Sequence, residues 1–332
     1  MRRRTFLAAS GAALLSAAPA WAQAGRAFSA ARAYSAARSP SALIIARHGI
    51  VLAESYVGAR TETLWDLGLA GHVFTPILAA AMVADRSLNL NEPVAMTLGD
   101  WGAHPTKRNI SIRMLLNGSS GIAAPGRDDL TLDEAVALEP VAEPGRRFID
   151  DRAPYVLFGE IARRKLAARG RALDIAAFLK SRVLDDIGCA PMTWGRTREG
   201  APMLDDGMQT SLRAWAQAGE LLRRDGIYRA RELLSRQAIL ETRQGSFAEP
   251  RAGIGLWLMG AAGRGASAPE MRAPSDLWRT NPTPPADLVM TAGAQGQRMY
   301  VAPSLGLVVA RAGQGGERWS DAAFLGAVLD DI

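Results

Sequence analysis

The 332-residue chain has a single cysteine, three lysines and three histidines. One thiol, Cys189, cannot close an intrachain disulfide, so packing and hydrogen bonding must hold the fold even in an oxidising compartment. With Lys107, Lys165 and Lys180 the only lysines, nearly all of the 39 basic residues are arginine, and they form no clustered stripe of the kind that grips nucleic acid. The histidines, His48, His72 and His104, are scattered and no His-Glu-x-x-His occurs, which gives no metal site. A Gly-rich phosphate loop is also missing, so no cofactor is expected. After the first 22 residues no apolar run approaches the roughly 20 residues that a membrane helix needs, and no stable membrane anchor is expected.

What is present is 48% hydrophobic and 22% charged, the composition of a globular protein able to bury a large core. The opening MRRRTFLAASGAALLSAAPAWAQA joins Arg2, Arg3 and Arg4 to an apolar run from Phe6 to Ala20 and then to Ala20-Trp21-Ala22. That is the pattern of a secretory signal peptide over residues 1–22, cut before Gln23. Twin arginines before Thr5-Phe6-Leu7 fit a Tat signal, with an ordinary Sec signal as the alternative. Its removal lowers the net charge of +6 by three and places the mature chain in the periplasm. Residues 23–40, small and polar, read as a leader segment lying along the surface.

Ser41 to Tyr56 is two β-branched-rich runs around Arg47-His48-Gly49, a hairpin in which His48 is a turn residue. From about Thr75 to Leu240 the periodicity is helical, over Pro76–Asp85, Ile110–Leu116, Tyr155–Ala168, Ile175–Leu184 and Leu212–Asp225. Strand patterns return at Gly253–Met259, Leu288–Ala292, Gln297–Val301 and Leu305–Ala312, interrupted by a Pro-rich excursion over 264–287. Ser320–Ile332 closes as a helix. Strands at both ends with helices between them predict a mixed α/β (α+β) fold with one antiparallel sheet built from both termini. The sheet lobe spans about 41–66 and 245–332 and the helical lobe about 67–244, together a domain over 41–332, with a ligand cleft between the lobes.

Several segments in order carry a family likeness. Leu88-Asn89-Leu90-Asn91-Glu92-Pro93-Val94 looks like L-x-L-D-x-P-V, and Ile110 to Gly121 (ISIRMLLNGSSG, from Ile110) is similar to I-T-I-R-H-L-L-T-H-T-S-G. Pro144-Gly145-Arg146-Arg147-Phe148 matches P-G-x-x-F. Ser211 to Leu222 with Leu234-Ser235 looks like T-A-R-D-L-A-R-F-G-x-L-L…L-S, and Gly296 to Pro303 with Leu307 to Arg311 looks like G-Q-R-x-Y-V-x-P…L-V-V-V-R. Across residues 41 to about 330 the chain therefore resembles the serine β-lactamase-related, penicillin-binding-protein-like proteins. These include class C β-lactamases, D-alanyl-D-alanine carboxypeptidases, related esterases and 6-aminohexanoate-dimer hydrolases.

The resemblance implies a chemistry with three elements. Ser-x-x-Lys at a helix start puts the nucleophile and its base one turn apart. Tyr-x-Asn adds a second proton-transfer group and an amide donor. Lys- or His-x-Gly on a strand supplies charge and backbone edge for the carbonyl. In this chain Trp65-Asp66 and Phe74-Thr75 flank the first element, which sets Leu69 at the Ser position and His72 at the Lys position. Counting from Pro144-Gly145 sets Asp150 at the Tyr and Arg152 at the Asn. The strand motif falls on Thr291-Ala292-Gly293, where Gly293 stays and Thr291 replaces the cation.

The whole chain contains no Ser-x-x-Lys and no Tyr-x-Asn. These absences do not depend on alignment, and they make the chain a candidate pseudoenzyme of the serine hydrolase family. Pro76 adds a physical expectation: with Thr75 as N-cap the helix would start at Pro76, distorting the turn that aligns nucleophile and base. Ser119-Ser120 reads as a structural turn, and no Gly-x-Ser-x-Gly elbow exists. His72, Asp150 and Arg152 form the one polar group expected to face the cleft. They would act in binding or general acid–base work, or else His72 fills a vacated lysine site while the other two form a salt bridge.

Two readings follow. One is a monomeric periplasmic protein that binds or regulates, with a peptidoglycan fragment, a small amide or ester ligand, or a cell-wall enzyme as partner. The other is a hydrolase of amide, ester or β-lactam bonds that uses His72 and Asp150.

Overall fold

The computed structural model describes residues 16–17, 27–127, 129–171, 174–260, 276–279, 284–314 and 319–332. The expected signal peptide lies outside these apart from Ser16–Ala17, as does most of the Pro-rich stretch. No helix among the described residues is long and apolar enough to cross a membrane.

β1 (Ser41–Arg47) and β2 (Ile50–Val57) form the expected hairpin. His48 and Gly49 both take positive φ, 52° and 81°, which matches the twist of the flanking strands. β3 (Val289–Ala292), β4 (Arg298–Ala302) and β5 (Leu307–Gly313) form a meander, and β5 pairs antiparallel with β1. The sheet order is Ser16–Ala17, β2, β1, β5, β4, β3, Trp257–Leu258, so the two chain ends meet at its centre. Of the strand expected over Gly253–Met259 only Trp257–Leu258 pairs, because Gly253 and Gly255 are pressed against backbone elsewhere.

β1 and β5 read as continuous apolar runs because both faces of the sheet are covered. One face carries Leu43, Ile45, Tyr300 and Val309 under α1 (Ser29–Ala36) and α6 (Asp321–Leu329). The other lies against α5 (Leu212–Arg223), where Gly219 allows close approach: a Cβ there would stand 2.8 Å from Val308. Beyond α5 lies the helical region, with α2 (Phe74–Ala84), α3 (Ile112–Leu116) and α4 (Ala153–Ala167). From Phe74 to Met82 every residue of α2 is buried, which makes it a core helix. The helix expected over Ile175–Leu184 is α-helical to Leu179 and then widens into a π turn.

The described part of the expected leader segment contains α1, which packs on the sheet. Phe28, Ala31 and Ser35 are buried, and the small side chains that looked featureless in the sequence are what let α1 lie close on the sheet. The Phe28 N–H donates to Asp331 at 2.7 Å, and the Ser320 N–H donates to the Tyr34 hydroxyl at 2.8 Å, tying α1 to the closing helix.

At the junction sits Arg311, a guanidinium with no solvent exposure. It donates to the carbonyls of Gln295 (3.0 Å), Gly296 (2.9 Å) and Arg38 (2.7 Å), and its carbon lies 4.8 Å from the Trp319 ring centroid. Burial, reinforced by the like charge of Arg298, pushes its pKa down to about 10, so it stays charged at neutral pH. Arg311→Met leaves three carbonyls without a donor and is expected to cost about 3 kcal/mol or more, read as a lower urea midpoint. A midpoint equal to wild type would refute this.

Candidate active-site cleft

The segment before α2 is set by local hydrogen bonding. The Asp66 carboxylate accepts from the Gly68 N–H at 2.9 Å, Gly68 takes φ +49°, and a 3-10 helix follows over Gly68–Val73. Three residues per turn eclipse positions i and i+3, so Leu69 and His72 lie on one side. The 3-10 turn runs directly into α2 through helical dihedrals at Val73. This corrects the expected start at Pro76: Thr75 is not a cap but a fully buried residue within the helix. Pro76 is accommodated because the His72 carbonyl, which it cannot bond, packs against Gly255. A Cβ on Gly255 would stand 2.6 Å from that oxygen.

A second side of the cleft comes from two motifs that bond each other. After α3, whose Ser111 caps the first turn, Gly118 takes φ +71°. The Gly118 carbonyl accepts from the Ile149 N–H at 2.8 Å and the Ser119 carbonyl from the Gly145 N–H at 2.7 Å. Phe148 lies on Gly118, where a Cβ would be 2.6 Å from its ring. Ser119 Oγ donates to Asn117 at 2.7 Å, and Ser120 Oγ accepts from the Ile122 N–H at 3.1 Å. Both serines are therefore buried parts of a turn, as expected.

These elements and β3 enclose a cleft of about 50 Å³, lined among others by Leu69, His72, Asn117, Asp150, Tyr155 and Thr291. That is room for a few water molecules, against the roughly 300–1,000 Å³ of sites that enclose a drug-sized ligand. The His72 ring stacks on Tyr155 with centroids 4.3 Å apart and planes 20° from parallel. Thr291 Oγ1 is buried and has no hydrogen-bond partner among the described residues. On its other side Leu69 also lines an open, polar groove of about 650 Å³ together with Asp66, Gln209 and Gln295.

Four of the six sequence-placed positions, Leu69, His72, Asp150 and Thr291, line the one cleft. Arg152 and Gly293 do not. The Arg152 guanidinium instead meets Asp205 at 2.7 Å, a carboxylate that is buried and 53 residues away. Burial raises the pKa of Asp205, and Arg152 opposes that rise. Gly293 is backbone packing: a Cβ there would stand 2.6 Å from Gln297 Oε1 and 2.9 Å from the Leu67 carbonyl. The sequence reading missed Asn117 and Tyr155. Tyr155 carried a weak signal as an aromatic in the first turn of a helix opened by Pro154.

No lysine enters the cleft. Lys107 reaches the Val136 carbonyl and Glu139, Lys165 pairs with Glu92 at 2.5 Å, and Lys180 pairs with Asp185 at 2.5 Å. No group of His, Cys, Asp and Glu among the described residues could hold a metal ion.

A sheet built from both chain ends, with a buried helix entering the cleft beside its edge strand, is the β-lactamase/transpeptidase-like class of fold. The chain belongs to the Beta-lactamase family, whose model matches residues 24–324. No curated protein sequence matches it. Among solved structures it is similar to a penicillin-binding protein homologue from Caulobacter crescentus, at 14% identity and TM-score 0.70, covering 92% of this chain and 97% of the other. A family VIII carboxylesterase is similar at 15% identity and TM-score 0.69, with the same coverages. A D-stereospecific amidohydrolase from Streptomyces sp. follows at 15% identity and TM-score 0.64, covering 91% and 97%.

Removing Arg152 leaves the Asp205 carboxylate buried without its cation. Arg152→Gln is expected to destabilise the fold by about 3 kcal/mol and to move the Asp205 carboxyl titration to higher pH. Calorimetric melting and carbon-detected NMR titration measure the two effects; a titration that stays in place or falls would refute the assignment.

Proposed function

We propose that this Beta-lactamase family member has lost acyl-enzyme catalysis and acts by binding or regulation in the periplasm. The observation that carries the reading is Leu69: a hydrocarbon side chain stands where the family resemblance puts the nucleophile. A Leu side chain has no atom that can attack a carbonyl. The reading is supported by the burial of Ser119 and Ser120 in their own turn and by the engagement of all three lysines elsewhere.

The partner class proposed is a peptidoglycan fragment, a small amide or ester ligand, or a cell-wall enzyme, met by a monomer. The polar groove beside Leu69 is roomy enough for such a ligand, whereas the inner cleft is not. Export rests on the signal peptide over residues 1–22, and cleavage before Gln23 leaves all of α1 in the mature chain. Intact-mass measurement of the periplasmic protein checks this, with an N-terminus at Gln23 as the expected result.

A second reading is favoured by one observation: His72 and Asp150 border the same small, water-sized cleft. Such a pair could activate water on an amide, ester or β-lactam bond without a covalent intermediate.

The purified protein is expected to take no label from a fluorescent penicillin or a fluorophosphonate and to leave nitrocefin and p-nitrophenyl esters unhydrolysed. Covalent label at any serine overturns the first reading. Hydrolysis without label that disappears in His72→Ala establishes the second.

A further inference from the structure

Tyr155, which lines the cleft, also lines a separate pocket of about 410 Å³, within the size range of small-molecule sites. Its floor is one face of α4, where Tyr155, Val156, Gly159, Glu160 and Arg163 follow helical spacing. Gly159 is the telling residue. It sits mid-helix, where glycine is disfavoured relative to alanine, yet neither its backbone nor its neighbours demand it. A Cβ there would meet nothing nearer than the Ile175 Cδ1 at 3.8 Å. The missing side chain leaves open volume and nothing else.

The roof is a hairpin that is held in place rather than draped. Its legs cross backbone to backbone at Gly195 and Gly207, where a Cβ on Gly207 would come within 2.8 Å of the Gly195 Cα. Arg196 pairs with Pro202 across the hairpin, and the Met203 N–H donates to the Gly195 carbonyl at 2.9 Å. Two ion pairs hold it, Arg196 with Asp174 at 2.8 Å within the pocket lining and Arg198 with Asp129 at 2.7 Å outside it.

Charge decides what fits. Glu160 is held by Arg163 and Arg164, Asp174 by Arg196, and Asp205 by Arg152, so these lining carboxylates already have their cations. The rest of the wall is mostly apolar, with Leu132, Val156, Ile175, Met203 and Leu204, and the one further lining carboxylate, Glu199, belongs to a solvent-exposed residue. Against the apolar wall a charged ligand would have to give up water without gaining a counter-ion, since Glu199 stands in solvent. We infer that this pocket is a binding site for a small, uncharged, apolar molecule, separate from the cleft and sharing Tyr155 with it as a common wall.

The probe is N-phenyl-1-naphthylamine, a neutral molecule that fluoresces when it leaves water, titrated into the intact purified protein. One saturable equivalent is expected. Gly159→Leu and Val156→Phe fill the floor from an existing helix, and each is expected to weaken binding at least tenfold. Gly159→Leu also raises helix propensity, and a melting temperature at or above wild type separates lost volume from lost folding. The anionic analogue 8-anilinonaphthalene-1-sulfonate is expected to bind at least tenfold more weakly. Wild-type affinity in both filled variants, or equal affinity for the sulfonate, overturns the inference.

Discussion

The Arg311 guanidinium is the point at which three otherwise separate parts of the chain are locked together. It projects from the central strand β5 and takes up carbonyls from the end of α1 and from the turn between β3 and β4. A lysine could not do this, because one ammonium on a flexible stem cannot reach three carbonyls in a fixed fork. With the turn at Gln295–Gly296 pinned, Gln297 can donate to the Asp66 carbonyl at 3.1 Å, and Asp66 in turn starts the 3-10 helix that carries Leu69 and His72. The position of the cleft residues is thus connected, bond by bond, to a buried charge on the far face of the sheet.

The fold was legible because its elements obey local rules. The hairpin at His48-Gly49, the helices of the middle third and the three late strands were readable from periodicity and turn chemistry. What escaped was tertiary. α1 is rich in Ala and Ser, which in the sequence reads only as a small, polar leader along the surface, and contact with the sheet is what gives those small residues their value. The 3-10 turn before α2 escaped because Pro76 is a strong stop signal in isolation; Gly255, almost 180 residues later, is what makes room for it. The short strand Gln209–Ser211, which pairs with Leu64–Asp66 on one side and Met192–Thr193 on the other, is likewise too short to leave a periodic trace, as are its partners.

The candidate site was legible in part, and for a similar reason. Counting from neighbouring motifs placed Leu69, His72, Asp150 and Thr291 around one small space. Counting could not foresee that Arg152 would be claimed by Asp205, since a carboxylate 53 residues distant has no local signature. Nor could it give the size of the cleft, which depends on how the Tyr155 ring settles against His72 rather than on which residues are present.

The mutual bonding of the Asn117–Gly121 turn and the Pro144–Phe148 loop bears on how such a chain is recognised at all. These segments meet through backbone amides and through a glycine over which an aromatic ring lies, so their residue types answer to geometry alone. A hydrolysing chain and a silent one need the same turn. The sequence signatures that disclose kinship here are therefore signatures of masonry, and they carry no news about whether the room they enclose is still in use.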